Sequence, residues 1–172
     1  MPAKSMLSVL TPVSEIVVGA MPEFRVRDVF PSSGRKVMEG VISLGPDFLL
    51  WFGNKIEKPK GESRVRWQKV NRYTPDTEIV SELGGEANAT TAFSELVFFL
   101  RRQAASRQGP LLTEGDTHNL FLIPDVHMEP RIVKVGLLGG GWWLSARQFG
   151  GSSGARWGKS VQFFSPCGMV GA

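Results

Sequence analysis

Apolar and polar residues alternate from Glu23 to Phe30, with Phe24, Val26 and Asp28 on one side and Arg25, Arg27 and Val29 on the other, the two-residue period of a strand with one wet face. Pro31-Ser-Ser-Gly34 supplies turn residues, and Lys36 to Leu44 alternates again, so the economical pairing is a hairpin. The period then changes. Gly45-Pro46-Asp47 reads as a helix start, because proline in the first turn sacrifices no needed donor and aspartate complements the positive end of the helix dipole. Phe48, Trp51, Phe52 and Ile56 follow at helical spacing until Pro59. Gly53 costs that helix about 1 kcal/mol relative to alanine, so tertiary packing has to hold it.

After the polar linker Lys58-Pro-Lys-Gly-Glu62, the stretch Ser63 to Tyr73 alternates, with Arg64, Arg66 and Gln68 opposite Val65 and Trp67. The strongest helix spans Thr90 to Arg107, where Phe93, Leu96, Val97, Leu100 and Ala104 form one apolar stripe. Phe98 falls outside it, among Ser94, Arg101 and Arg102. Four strands follow, at Asn119 to Pro124, Arg131 to Leu138, Trp142 to Phe149 and Gly158 to Phe164, and Gly139-Gly-Gly141 is a hairpin turn. Met6 to Ala20 is broken by Pro12, Ser14 and Glu15, which fits an N-terminal strand or short helix and not a secretory signal. The order predicts an α+β fold, a mostly antiparallel sheet with two main helices packed on one face and a C-terminal β-meander, in a single globular domain over residues 1–172.

With 172 residues, 42% of them apolar, the chain can bury roughly 70% of its extended surface without staples. The single cysteine, Cys167, excludes an intramolecular disulfide and any zinc site built on paired thiolates, which points to a reducing, cytoplasmic setting. No apolar run reaches the roughly 18 to 20 residues of a membrane span. The net charge of +4 is unevenly spread: residues 1–73 carry +5, residues 74–130 carry −6 and residues 131–172 carry +5 with no acid at all. Such a pattern serves internal complementarity or the association of copies, and a basic stripe that converges on one face serves nucleic acid.

Candidate chemistry is sparse. Both histidines lie among acids, in Glu114-Gly-Asp116-Thr-His118 and Asp125-Val-His127-Met-Glu129. If the second stretch is extended, Asp125, His127 and Glu129 share a face that would suit a divalent ion, but His118 and His127 are separated by about 30 Å of extended strand at roughly 3.3 Å per residue. Cys167 has no histidine near it in sequence, and Gly150-Gly-Ser-Ser-Gly154 lacks the lysine of a phosphate loop. No catalytic residue, metal ligand or cofactor is assigned. Trp142, Trp143, Phe149, Trp157, Phe163 and Phe164 are interleaved with Arg147, Arg156 and Lys159, and alternation places Trp142 and Trp143 on opposite faces.

Several segments, taken in order, resemble a family of small uncharacterised bacterial proteins: 22–30 (Pro-Glu-Phe-Arg-Val-Arg-Asp-Val-Phe), 42–48 (Ile-Ser-Leu-Gly-Pro-Asp-Phe), 51–59 (Trp-Phe-Gly-Asn-Lys-Ile-Glu-Lys-Pro), Glu82-Leu-Gly-Gly85, Leu111-Leu-Thr-Glu-Gly115 and Gly141-Trp-Trp-Leu-Ser-Ala146, then Trp157 and Phe164-Ser-Pro166. The resemblance implies one domain of this length and carries no activity, cofactor or partner. Two functions are therefore expected from the residues alone. The first is a non-enzymatic protein-interaction module, binding another protein or itself as a homodimer, through Phe98, Arg101 and Arg102. The alternative is a nucleic-acid-binding module using Arg64, Arg66, Trp143, Arg147 and Arg156, in which arginines neutralise phosphates and aromatic rings stack on bases. A small enzyme would need one histidine and two or more acids to meet in a pocket.

Overall fold

The run Leu120-Phe-Leu-Ile123 contains no polar alternate, the mark of a strand covered on both faces. The computed structural model describes residues 8–30, 38, 40–103, 108–150 and 156–167, and that run lies in the central strand of a seven-stranded sheet. In chain order the elements are β1 (Leu10–Val18), β2 (Phe24–Arg25), α1 (Val26–Val29), β3 (Val41–Leu44), α2 (Phe48–Phe52), β4 (Ile56–Glu57), β5 (Ser63–Val70) and β6 (Thr74–Pro75). There follow α3 (Asp76–Glu82), α4 (Glu86–Ala89), α5 (Phe93–Arg102), β7 (His118–Pro124), β8 (Pro130–Leu138), β9 (Gly141–Gln148), β10 (Arg156–Trp157) and β11 (Val161–Pro166).

The sheet order is β1-β5-β11-β7-β8-β9-β3, with β11 parallel to β7, β3 parallel to β9 and the other neighbours antiparallel. This corrects the expected α+β architecture: the fold is a mixed α/β arrangement, its sheet partly parallel and its five described helices short. The C-terminal meander ends at β9. Val161 to Ser165 are all buried, so β11 needs cover on both sides, and it gains that by crossing back between β5 and β7 instead of adding at the edge.

Helices also cover both sheet faces rather than one. Phe121, Ile123, Val133, Val135 and Phe164 pack with Phe93, Leu96 and Leu100 of α5, while their neighbours Leu120, Leu122, Ile132 and Phe163 pack with Ile79 and Val80 of α3 and Ala89 of α4. The centre of the first cluster is aromatic, with Phe121 and Phe164 stacked at 4.6 Å between ring centroids. Each such fully buried ring contributes about 1.5 to 3 kcal/mol relative to exposure.

Among the described residues the expected hairpin of 23–30 with 36–44 is not formed: Val41 to Leu44 pair with β9 instead. Only Phe24 and Arg25 are strand, paired with β4, and the next residues turn into α1. A helical turn brings Val26 and Phe30 together into the core while Asp28 stays outside, whereas a strand would have carried Asp28 inward between them. The turn expected at residues 31–34, residues 104–107 of the long helix and the glycine loop at 151–154 lie outside the described residues. The two-residue turn at Gly139 and Gly140 is present, with positive φ of 60° and 83° that residues other than glycine rarely adopt.

Candidate functional site

The histidine and acid cluster does not assemble. Residues 125–129 form a turn, not a strand, because the Asp125 carboxylate accepts the backbone N–H groups of His127 at 2.8 Å and Glu129 at 3.1 Å. Its other oxygen takes Arg131 Nε at 2.9 Å, and the guanidinium lies over Trp51, 4.0 Å from the ring centroid. Burial alone would raise the Asp125 pKa, but these hydrogen bonds and the Arg131 charge outweigh it and hold the carboxyl below its ordinary value. His127 is exposed at this turn and His118 begins the strand at its far end. Among the described residues no three His, Cys, Asp or Glu side chains are grouped to hold a metal ion.

Beside this turn is a cleft of about 470 Å³ lined by Lys55, Glu57, Asp125 and Met128 among others. Burial pushes the Lys55 ammonium below its usual range, with Glu57 and Asp125 opposing the shift. A buried lysine between carboxylates resembles catalytic machinery, yet its groups are committed elsewhere. Lys55 Nζ donates to the Pro124 carbonyl and stands 3.7 Å from Glu57. Glu57 accepts Phe93 N–H at 2.7 Å and Ser94 N–H at 2.9 Å, and Asp125 holds the turn. The cluster bolts β4, β7 and α5 together.

Cations and rings converge elsewhere, on the sheet face that carries α3 and α4 but towards the β9 side. Strand alternation puts Trp143, Ser145 and Arg147 of β9 on this face with Lys134 of β8 and His118 of β7. Lys134 Nζ lies 4.9 Å from the centroid of Trp143, Arg147 is 5.8 Å from that of Trp157 on β10, and Arg156 is 5.9 Å from that of Tyr73, which is 71% exposed. β10 pairs with β6, and on that small ribbon Trp157 turns inward beneath Arg147 while Arg156 turns outward beside Tyr73. Lys134, Arg147 and Arg156 make no ion pair with a described carboxylate, whereas Arg25, Lys60, Arg64, Arg72 and Arg131 each do. Burial and the Arg147 charge lower the Lys134 pKa. The acid facing Arg147 is Asp76, whose carboxyl is buried and pushed above its ordinary value. Among the described residues the buried indole N–H of Trp157 has no partner.

Of the five residues expected to contact nucleic acid, Trp143 and Arg147 share this face and Arg156 lies on the adjoining β10-β6 ribbon. Arg64 and Arg66 do not. They lie on β5, three strands away from β8 in the sheet order, where Arg64 pairs with Glu15 at 2.9 Å and Arg66 Nε reaches Ser165 at 3.4 Å. Lys134, Tyr73 and His118 were not legible as part of this group. The signal existed: the two-glycine turn fixes Gly136 opposite Trp143, and Lys134 is then its diagonal neighbour on the same face.

The expected interface residues share a second feature. Phe98 is half-buried against Phe99, edge to face at 5.5 Å, and lines a groove of about 320 Å³ with Met21, Phe24 and Val97, while Arg101 and Arg102 form its rim. No helix among the described residues is long and apolar enough to cross a membrane. Cys167 donates its thiol to Glu15, and burial with that contact pushes its pKa up to about 11, the opposite of an activated nucleophile. Comparison with protein-family models, curated proteins and solved structures finds no match to this chain.

Proposed function

We propose that this protein is a non-catalytic cytoplasmic binding module whose partner is a nucleic acid, held on the face that carries Lys134, Trp143, Arg147 and Arg156. One observation carries the reading: Lys134, Arg147 and Arg156 make no ion pair with a described carboxylate, and each stands over an aromatic ring, two of them on one sheet face and the third on the adjoining ribbon. Cations left unpaired are available to phosphates, and of the rings beside them the part-exposed Trp143 and the exposed Tyr73 are available to bases, whereas Trp157 is buried and only backs Arg147. The acids of the middle segment meanwhile serve the fold, with Glu95 paired to Lys60, Glu78 to Arg72 and Asp125 to Arg131, which weakens the case for opposite-signed poles joining copies.

Fluorescence anisotropy with labelled DNA and RNA oligonucleotides tests it. Binding at about 50 mM salt that weakens steeply towards about 200 mM supports the reading. No binding of any oligonucleotide at the lower salt overturns it.

A protein-binding reading is favoured by a separate observation, the apolar groove floored by Phe24 and Phe98 and rimmed by Arg101 and Arg102, neither of which pairs with a described carboxylate. Its occupant would be a protein segment bearing a large apolar side chain next to acids, on another protein or a second copy. Light scattering at tens of micromolar decides the homodimer: a dimer abolished by Arg101→Glu supports it, and a monomer removes it.

A further inference from the structure

We infer that Trp143 is the base-stacking platform of this surface and that its ligand is a single-stranded nucleic acid. This rests on the nucleic-acid reading above and names the form of the partner. The indole belongs to β9 but rests on β8: a Cβ built on Gly136 would meet Cε2, Nε1 and Cζ2 of the ring at 2.8 to 2.9 Å. Three consecutive ring atoms at one distance from that point mean that the ring lies with a face towards the strand, and only a residue without a side chain leaves room for it. The ring reaches over Gly136 towards β7, where His118 stands edge to face with it at 5.6 Å and 77°. One face of the indole is thus spent on the sheet, the imidazole forms a wall, and over the half-exposed ring stands only the flexible Lys134 side chain, so a single flat group stacks there as the ammonium swings aside.

A nucleobase fits that description. Lys134, whose ammonium rests over the ring 4.9 Å from its centroid, would be displaced by the base and, on its flexible stem, would turn to the stacked nucleotide's phosphate, and Arg147, four residues along β9 on the same face, is about 13 Å further on at roughly 3.3 Å per residue, in reach of the next phosphates. A duplex keeps its bases stacked on one another and can present only its backbone to such a surface, so the ring gives no advantage there. A single strand gains the stacking as well as the charge neutralisation.

The experiment titrates the full chain with three probes, a single-stranded 12-nucleotide DNA, its duplex, and inorganic polyphosphate, at one salt concentration. The inference expects the single strand to bind most tightly and to quench tryptophan fluorescence. Trp143→Ala should weaken it about five- to a hundredfold and remove most of the quench, with Trp143→Phe restoring much of the affinity, while duplex and polyphosphate binding change little. Gly136→Ala should displace the ring and lose the quench while the salt dependence persists. Equal binding of all three probes, unaffected by Trp143→Ala in a variant that melts as wild type does, overturns the inference and leaves the nucleic-acid reading standing. Failure of every probe to bind removes both.

Discussion

Glu57 closes the N-terminus of α5, accepting the N–H of Phe93, 36 residues away in sequence, at 2.7 Å. The residue preceding the helix is Ala92, which has no side-chain acceptor, and Glu95 reaches back only to the Ala92 N–H at 2.8 Å. The first two helical donors would otherwise be orphans in the core. Glu57→Ala is therefore expected to cost about 2 to 3 kcal/mol, since it strips two buried donors and also removes the partner of Lys55. Glu57→Gln, which keeps an acceptor, should cost less. Urea denaturation of both variants measures it, and a loss within 0.5 kcal/mol (about the scatter of surface substitutions) for Glu57→Ala would refute the assignment.

Asp125 is expected to make the protein acid-sensitive. Its folded-state pKa lies below the ordinary 3.8, so its contribution is complete above that value and is lost as pH falls through the lower folded value. Asp125→Ala should cost about 3 to 5 kcal/mol, because it leaves Arg131 unpaired beside Trp51 and frees two turn N–H groups. Melting temperature followed from neutrality down to about pH 2 should show a shallower acid limb for Asp125→Asn than for the wild type.

Charge removal should separate the two groups of basic residues. Lys134→Ala and Arg147→Ala are each expected to weaken nucleic-acid binding and to reduce the slope of log affinity against log salt by about one. Arg64→Ala should leave both unchanged, because its guanidinium already pairs with Glu15 near the opposite edge of the sheet. Equal effects at Arg64 and Lys134 would contradict the placement of the surface.

His118 should titrate below its ordinary 6.5, because burial and then the neighbouring Lys134 charge disfavour the imidazolium, with Asp116 opposing them. The sign of the consequence differs between free and bound protein. In the free protein stability is lost as pH falls from about 6.5 through the lower folded value, since the unfolded chain binds that proton first. In the complex the new charge faces phosphate, so the ligand-induced rise in melting temperature should be larger at about pH 5.5 than at about pH 7.5, and His118→Ala should remove the difference.

What the residues announced locally is what short-range physics controls. The stripe from Phe93 to Leu100 is a helix, the doubled glycines at 139 and 140 turn a hairpin, and Trp142 and Trp143 face opposite ways, because backbone conformation and side-chain period are set within a few residues. By the same logic Gly136 was already opposite Trp143. Turn chemistry was less readable at Asp125, where a side chain bonding its own backbone overrode the extended reading.

Long-range partnership lay beyond that reach. That β11 slips between β5 and β7, that β3 runs beside β9 and that helices cover both faces follow from which buried strands can shield one another, a competition among segments up to about 150 residues apart in a chain of 172. The same arrangement decided the candidate surface. Arg64 and Arg147 carry the same charge on strands of similar pattern, and only the strand order sets one against Glu15 and the other over Trp157.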